Sequence, residues 1–262
     1  MLARRCLLFF PVAALAAGAD LAPTGRLRLG IGVGEVGSAF WTTRDAAGAP
    51  RGVTVDLARA MAASLGLPLD LVPYNASGEV TEAVARGEVD VAFMPTDPQR
   101  AARVAFGPDF YLFVSTLLVM PGVAGRNVED VAVAPLRIVG VRNTTTIRAA
   151  ERSFARASFT ATTGMAEALA ALRGGQADAV ALGRESLDAL LPQLPGARIL
   201  EGHFHASGTA IAVPPGRPAA LAAATAWMEA AKADGTVRAA LSAHGISGPV
   251  APPGSRSGAP AS

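Results

Sequence analysis

Short apolar runs alternate along the chain with segments in which apolar residues return every third or fourth position, the mark of strands alternating with helices. Leu27-Arg28-Leu29-Gly30-Ile31 predicts a short strand, followed by a polar, glycine-rich loop to about Gly52. Leu57, Met61 and Leu65 then share one helical face, with Thr54 or Asp56 as the expected cap and Gly66 at the expected left-handed stop. Leu69 to Val72 predicts a strand, Glu79 to Arg86 a helix ended by Gly87, and Val89 to Phe93 a central parallel strand. The plan recurs downstream, with strands at 137–141, 159–162 and 177–182 and helices at 146–156, 165–173 and 185–191. The segment ARGEVDVAF (85–93) is echoed by LRGGQADAVA (172–181), which points to two related β-α-β units, parallel sheets and helices on both faces. Two long apolar stretches, Tyr111 to Met120 and Thr209 to Val213, interrupt the plan and are expected to cross between the units. Helices follow from about Pro218 and over 236–244, and residues 249–262, rich in Pro, Gly, Ser and Ala, are expected to be disordered.

Composition narrows the class. With 262 residues, 51% of them hydrophobic, the chain can form one large domain or two modest ones and is not wholly disordered. Met1 to Ala19 reads as an export signal: Arg4 and Arg5, an apolar stretch from Cys6 to Ala17, then a small-residue cleavage site at Ala17-Gly18-Ala19. That stretch is short for a membrane span, and Cys6 precedes the apolar stretch instead of closing it, which argues against a lipoprotein. Taking Arg4 and Arg5 from the 23 basic residues leaves them equal to the 21 acidic ones, and taking Cys6 leaves no cysteine. The mature chain is therefore expected outside the cytoplasm, with no disulfide scaffold, no cysteine zinc site and no basic surface for nucleic acid. His203 and His205 alternate on one segment but lack a third ligand, so they read as polar loop residues and no metal or cofactor is expected.

Four stretches, in order, resemble the extracytoplasmic solute-binding proteins of family 3, which serve polar amino-acid ABC importers. They are GAPRGVTVDLARAMAASLGLPLDLVPY (48–74), GEVDVAFMPTDPQRAARVAFGPDFY (87–111), GVRNTTT (140–146) and GTAIAVPPGRPAALAAATAWMEAAKADGTVRAAL (208–241). The resemblance implies a two-lobed α/β fold of the type II periplasmic-binding-protein kind with two hinge-connecting strands. It places one lobe at 24–117 plus 210–248 and the other at 118–209. It further implies a monomer that closes on a small carboxylate-bearing ligand and presents it to a membrane permease. A sensing module for a separate membrane partner shares these features. A cleft-based dehydratase or lyase would need a buried acid, for which Glu185 is the position to test.

Arg100 is the leading binding candidate. Asp97 can cap a short helix, Pro98 suits its first position, and a guanidinium in that first turn can grip a carboxylate with two prongs. Asn143, Thr145 and Thr146 lie between a strand end and a helix start, where backbone amides and hydroxyls suit an anion. The resemblance adds Arg142 and the aromatic Phe40, and Trp41, Tyr74 and Asn75 are strand-end and loop candidates. The acidic residues that hold the ligand's ammonium group in similar proteins fall here on Gly32 and Gly183, and Glu35 or Glu185 replaces them only with altered spacing. The expected ligand is thus a small organic anion or an unusual amino-acid derivative.

Overall fold

A computed structural model describes residues 18–33, 38–246 and 248–257. Nearly all of the expected export signal, and Glu35, lie outside these described residues. The first unit begins with β1 (Leu27–Gly32), two short strands β2 (Thr43–Arg44) and β3 (Pro50–Arg51), α1 (Val53–Leu65) and β4 (Leu69–Tyr74). It continues through α2 (Ser77–Ala85), β5 (Val91–Pro95), the single turn α3 (Pro98–Ala101) and the long β6 (Ala105–Val119). The second unit holds β7 (Arg137–Val141), α4 (Thr145–Ser153), β8 (Ser158–Thr162), α5 (Met165–Arg173), β9 (Ala179–Gly183), α6 (Arg184–Leu190) and β10 (Arg198–Ile199). The chain then returns through β11 (His205–Val213) to α7 (Pro218–Ala233) and α8 (Thr236–Ala243).

The large sheet runs β4-β1-β5-β11-β6-β9-β7-β8, with β10 added beside β6. β1 pairs in parallel with β4 and β5, and β7 with β8 and β9. β11 and β6 are antiparallel to their neighbours and join the halves: Ser115 of β6 faces His205 of β11 on one side and Gly183 of β9 on the other. These are the crossing segments foreseen at 111–120 and 209–213, but β6 starts earlier, at Ala105. Pro108 cannot donate to the ladder, and the β6–β11 register shifts on either side of Ala210 instead of the strand ending there.

Helices cover both faces of each half. Leu57 and Met61 of α1 pack with α7, α8 and the side chains of Leu29, Val91 and Ile211, while Val80 and Val84 of α2 pack against Ala92 and Met94 on the other face. In the second half, Leu169 and Leu172 of α5 and Leu187 of α6 cover Val139 and Val180, and Ala150 and Phe154 pack against Ile138 and Ala179. The sequence echo is a structural repeat. Asp90 and Asp178 each accept the backbone amide and the guanidinium of an arginine on the neighbouring strand, Arg28 at 3.0 and 2.7 Å and Arg137 at 2.9 and 2.6 Å.

Two local expectations are corrected. The cap of α1 is Gly52, at φ 144°, not Thr54 or Asp56. Thr54 instead donates to the Trp41 carbonyl at 2.6 Å, and Asp56 pairs with His244 at 2.7 Å. Residues 249–257 are also packed, not disordered as expected from 249 onward. Val250 bridges Tyr111, Ala251 N donates to Phe110 O at 2.9 Å, and the buried Lys232 ammonium donates to the carbonyls of Asp109 and Pro252 at 3.1 and 3.0 Å. Composition foretold disorder here, but backbone pairing to β6 supplies the order that apolar side chains do not.

Candidate binding cavity between the two sheet halves

Parallel strands β1, β5, β7 and β9 all end at one cleft between the halves, which encloses a cavity of about 140 Å³. Its wall includes Trp41, Asn75, Ser77, Arg100, Phe113, Thr145 and Thr146, so both halves contribute. Arg100 is 3% exposed. Its Nη2 donates to Ser77 Oγ at 2.7 Å and its Nη1 to the Pro95 carbonyl at 3.3 Å, while the buried Nε has no hydrogen-bond partner. Burial pushes this guanidinium down to about 10, with Asp97 opposing and Arg148 adding to the effect, so it stays cationic at neutral pH.

Asp97 explains how Arg100 is held. It caps α3 by accepting the Arg100 amide at 3.0 Å, and Pro98 occupies the first helical position. Its Oδ2 lies 3.7 Å from Arg100 Nε and accepts the Thr145 hydroxyl at 2.5 Å and the Arg148 guanidinium, both from α4 in the other half. Burial alone would raise the Asp97 carboxyl. The Thr145 hydroxyl, the Arg100 amide and the two guanidinium groups together bring it below the usual carboxylate value. Two cations thus share one buried anion.

Thr144 caps α4, accepting Ile147 N at 3.2 Å and donating to Val141 O at 2.8 Å. Thr145 and Thr146 both line the cavity, but their hydroxyls are engaged by Asp97 and by Ser115, the latter at 3.1 Å. What they offer an anion is their amides, the first two of the helix, which have no intrahelical acceptor.

The other expected site residues divide. Trp41 and Asn75 line the cavity. Phe40 does not: it is fully buried in an aromatic cluster, 4.7 Å from both Trp41 and Tyr111 between ring centroids, because the loop turns its ring into the core. Asn143, at φ 59°, sits against Gly78 of α2, where an added Cβ would lie 2.6 Å from Asn143 Cβ, so it touches the opposite half outside the cavity wall. Arg142 is exposed, with its backbone amide bonded to Thr162 at 2.9 Å, and Tyr74 leans on the α2 side of the sheet; neither lines the cavity.

Sequence reasoning missed Ser77, Phe113 and Arg148 as contributors. Ser77 and Phe113 carry no local signal, and Arg148 meets Asp97 only through the tertiary fold. Gly32 and Gly183 both line the cavity.

Glu185 is nine-tenths buried but faces Tyr111, whose hydroxyl donates to its Oε1 at 2.7 Å; Oε2 is buried without a partner. Burial raises this carboxyl above its ordinary value of 4.5, against the lowering effect of the Tyr111 bond. Below 4.5 the folded and unfolded forms both carry the proton, and stability is lost as pH rises toward and through the folded value. Glu185→Gln keeps an acceptor for Tyr111 and cannot ionise. Urea unfolding from about pH 5 to 7 is expected to show the wild-type protein losing stability relative to this variant. Parallel pH profiles would show that the carboxyl titrates normally.

The family described as bacterial extracellular solute-binding proteins, family 3, matches residues 31–245. No curated protein matches the chain. A solute receptor for L-cysteine from Neisseria gonorrhoeae has a similar structure, with TM-score 0.76, 22% identity, and coverage of 88% of this chain and 93% of its own. A lysine-complexed putative binding component of an ABC transporter from Wolinella succinogenes gives 0.73 at 24% identity, covering 84% and 96%. An ancestral amino acid-binding protein, a precursor of cyclohexadienyl dehydratase, gives 0.74 at 23%, covering 86% and 97%. At these identities the structures establish the two-lobed type II fold, and the family match over most of the length goes further: the chain belongs to family 3 of the bacterial extracellular solute-binding proteins.

Proposed function

We propose that the protein captures a small carboxylate-bearing ligand, amino-acid-like or a simple organic anion, between its two lobes outside the cytoplasm, and delivers it to the permease of an ABC importer. One observation carries this reading: Arg100 and Arg148 share the single carboxylate of Asp97, and Arg100 lines the cavity. A buried cluster with one surplus positive charge calls for an anion. The amides at the start of α4 approach from the other half, so a bound carboxylate would be touched by both lobes and would favour the closed form. In the first turn of α6, Glu185 turns to Tyr111 and is not part of the cavity wall, which supports capture over turnover.

The test is a thermal-shift screen of the protein against amino acids, keto acids, dicarboxylates and aromatic acids. A ligand at ~100 times its dissociation constant stabilises by about 2.7 kcal/mol, an easily read shift. The expected result is a carboxylate hit that neutral analogues, such as the amides of the same acids, do not reproduce. Equal shifts from the neutral analogues would overturn the reading.

A further inference from the structure

We infer that the ligand is an apolar monocarboxylate without an ammonium group, and that Phe113 is the residue that sets this preference. The inference rests on carboxylate capture at Arg100 and names the class of carboxylate. Among the described residues lining the cavity, Arg100 is the one charged side chain, and none is Asp or Glu. The rest of the wall is largely apolar: Ile31, Trp41, Phe93, Phe113, Met165 and Leu182. Among these described residues a zwitterion's cationic end meets no counter-charge. The face of Trp41 or Phe113 attracts a cation, but less strongly than the water the ammonium must give up.

The Phe113 ring occupies the space where a side chain at position 183 would point. A Cβ added to Gly183 would lie 1.8 Å from Phe113 Cζ. The backbone of Gly183, at φ −66° and ψ 147°, is open to any residue, so it is the ring and not the chain conformation that requires glycine. Gly32 is the opposite case: a Cβ there meets no described residue within 4 Å. Size follows from the cavity volume. About 140 Å³ is close to the ~150 Å³ apolar cavity that admits benzene, so there is room for a body of about six carbon atoms.

Titration calorimetry on matched pairs tests this. The probes are 3-methyl-2-oxobutanoate and isovalerate against L-valine, and benzoate as the aromatic case. At least one ammonium-free acid is expected to bind about thirtyfold or more tighter than L-valine. The double variant Phe113→Ser with Gly183→Asp, which opens the space and places a carboxylate in it, is expected to move the preference toward L-valine. Gly32→Asp should do the same without disturbing Phe113, which covers the case of a double variant that fails to fold. L-valine binding as tightly as its oxo analogue, with binding still lost in Arg100→Ala, would overturn the inference and leave carboxylate capture standing. No binding by any of these acids to the folded protein would overturn the inference, and carboxylate capture falls with it only if the wider screen also yields no carboxylate hit.

Discussion

Arg100→Ala is expected to weaken binding of the captured carboxylate by ~10²- to 10³-fold while leaving the protein folded. Truncating one member of a buried, charge-assisted pair costs about 2–5 kcal/mol, which spans that range. The protein tolerates the loss because the remaining groups balance: without Arg100, Asp97 still pairs with Arg148 and still accepts the Thr145 hydroxyl. Arg100→Lys separates charge from geometry. A lysine keeps the positive charge but cannot reach Ser77, the Pro95 carbonyl and a carboxylate together, so its affinity should fall between the two. Calorimetry with the best ligand from the screen, alongside melting curves, reads both effects. An alanine variant that binds as tightly as the parent would remove Arg100 from the site.

Asp97→Asn is expected to have the larger effect on stability, about 3–5 kcal/mol. Asparagine has nearly the same volume and still accepts the Arg100 amide, so cap and packing survive. What disappears is the single negative charge between two guanidinium groups, one of them 3% exposed and the other 18%. The two cations are left facing each other across the cleft, and the tie between α3 and α4 becomes a repulsion. Two further results follow. Removing the second cation as well, in Asp97→Asn with Arg148→Met, should recover most of the loss. An anionic ligand should stabilise the single variant more than it stabilises the parent, because it returns the missing charge. Urea unfolding of the three proteins with and without ligand checks this, and a loss under about 0.5 kcal/mol would mean the pair is screened by solvent.

Much of the fold was legible because it is written locally. Each strand-helix-strand unit carries its own apolar rhythm, and the repeat at 85–93 and 172–181 preserves even its aspartates, Asp90 and Asp178, which brace the same strand position in both units. Arg100 was legible for the same reason: its cap, its proline and its helix turn lie within four residues. The rest of the site depends on contacts between distant segments. Asp97 could be read as a cap, but not as the partner of Thr145 and Arg148, which lie 48 and 51 residues further along. Phe113 alternates with its neighbours like any strand residue, and only the pairing of Ser115 with Gly183 brings its ring over the bare glycine. Phe40 was misplaced because an aromatic in a loop can turn inward or toward the cleft, and spacing alone does not choose.

The place of β11 has a consequence for the order in which the molecule assembles. This strand lies between β5 and β6, yet its residues emerge last of the sheet, after the whole second half of the chain. Until residues 205–213 are available, β5 and β6 each have an open edge and the first half cannot close. The strands β7, β8 and β9 follow one another directly and can pair as they appear. The second half should therefore fold first, and the first half should wait, with unpaired strand edges exposed to aggregation or to a chaperone.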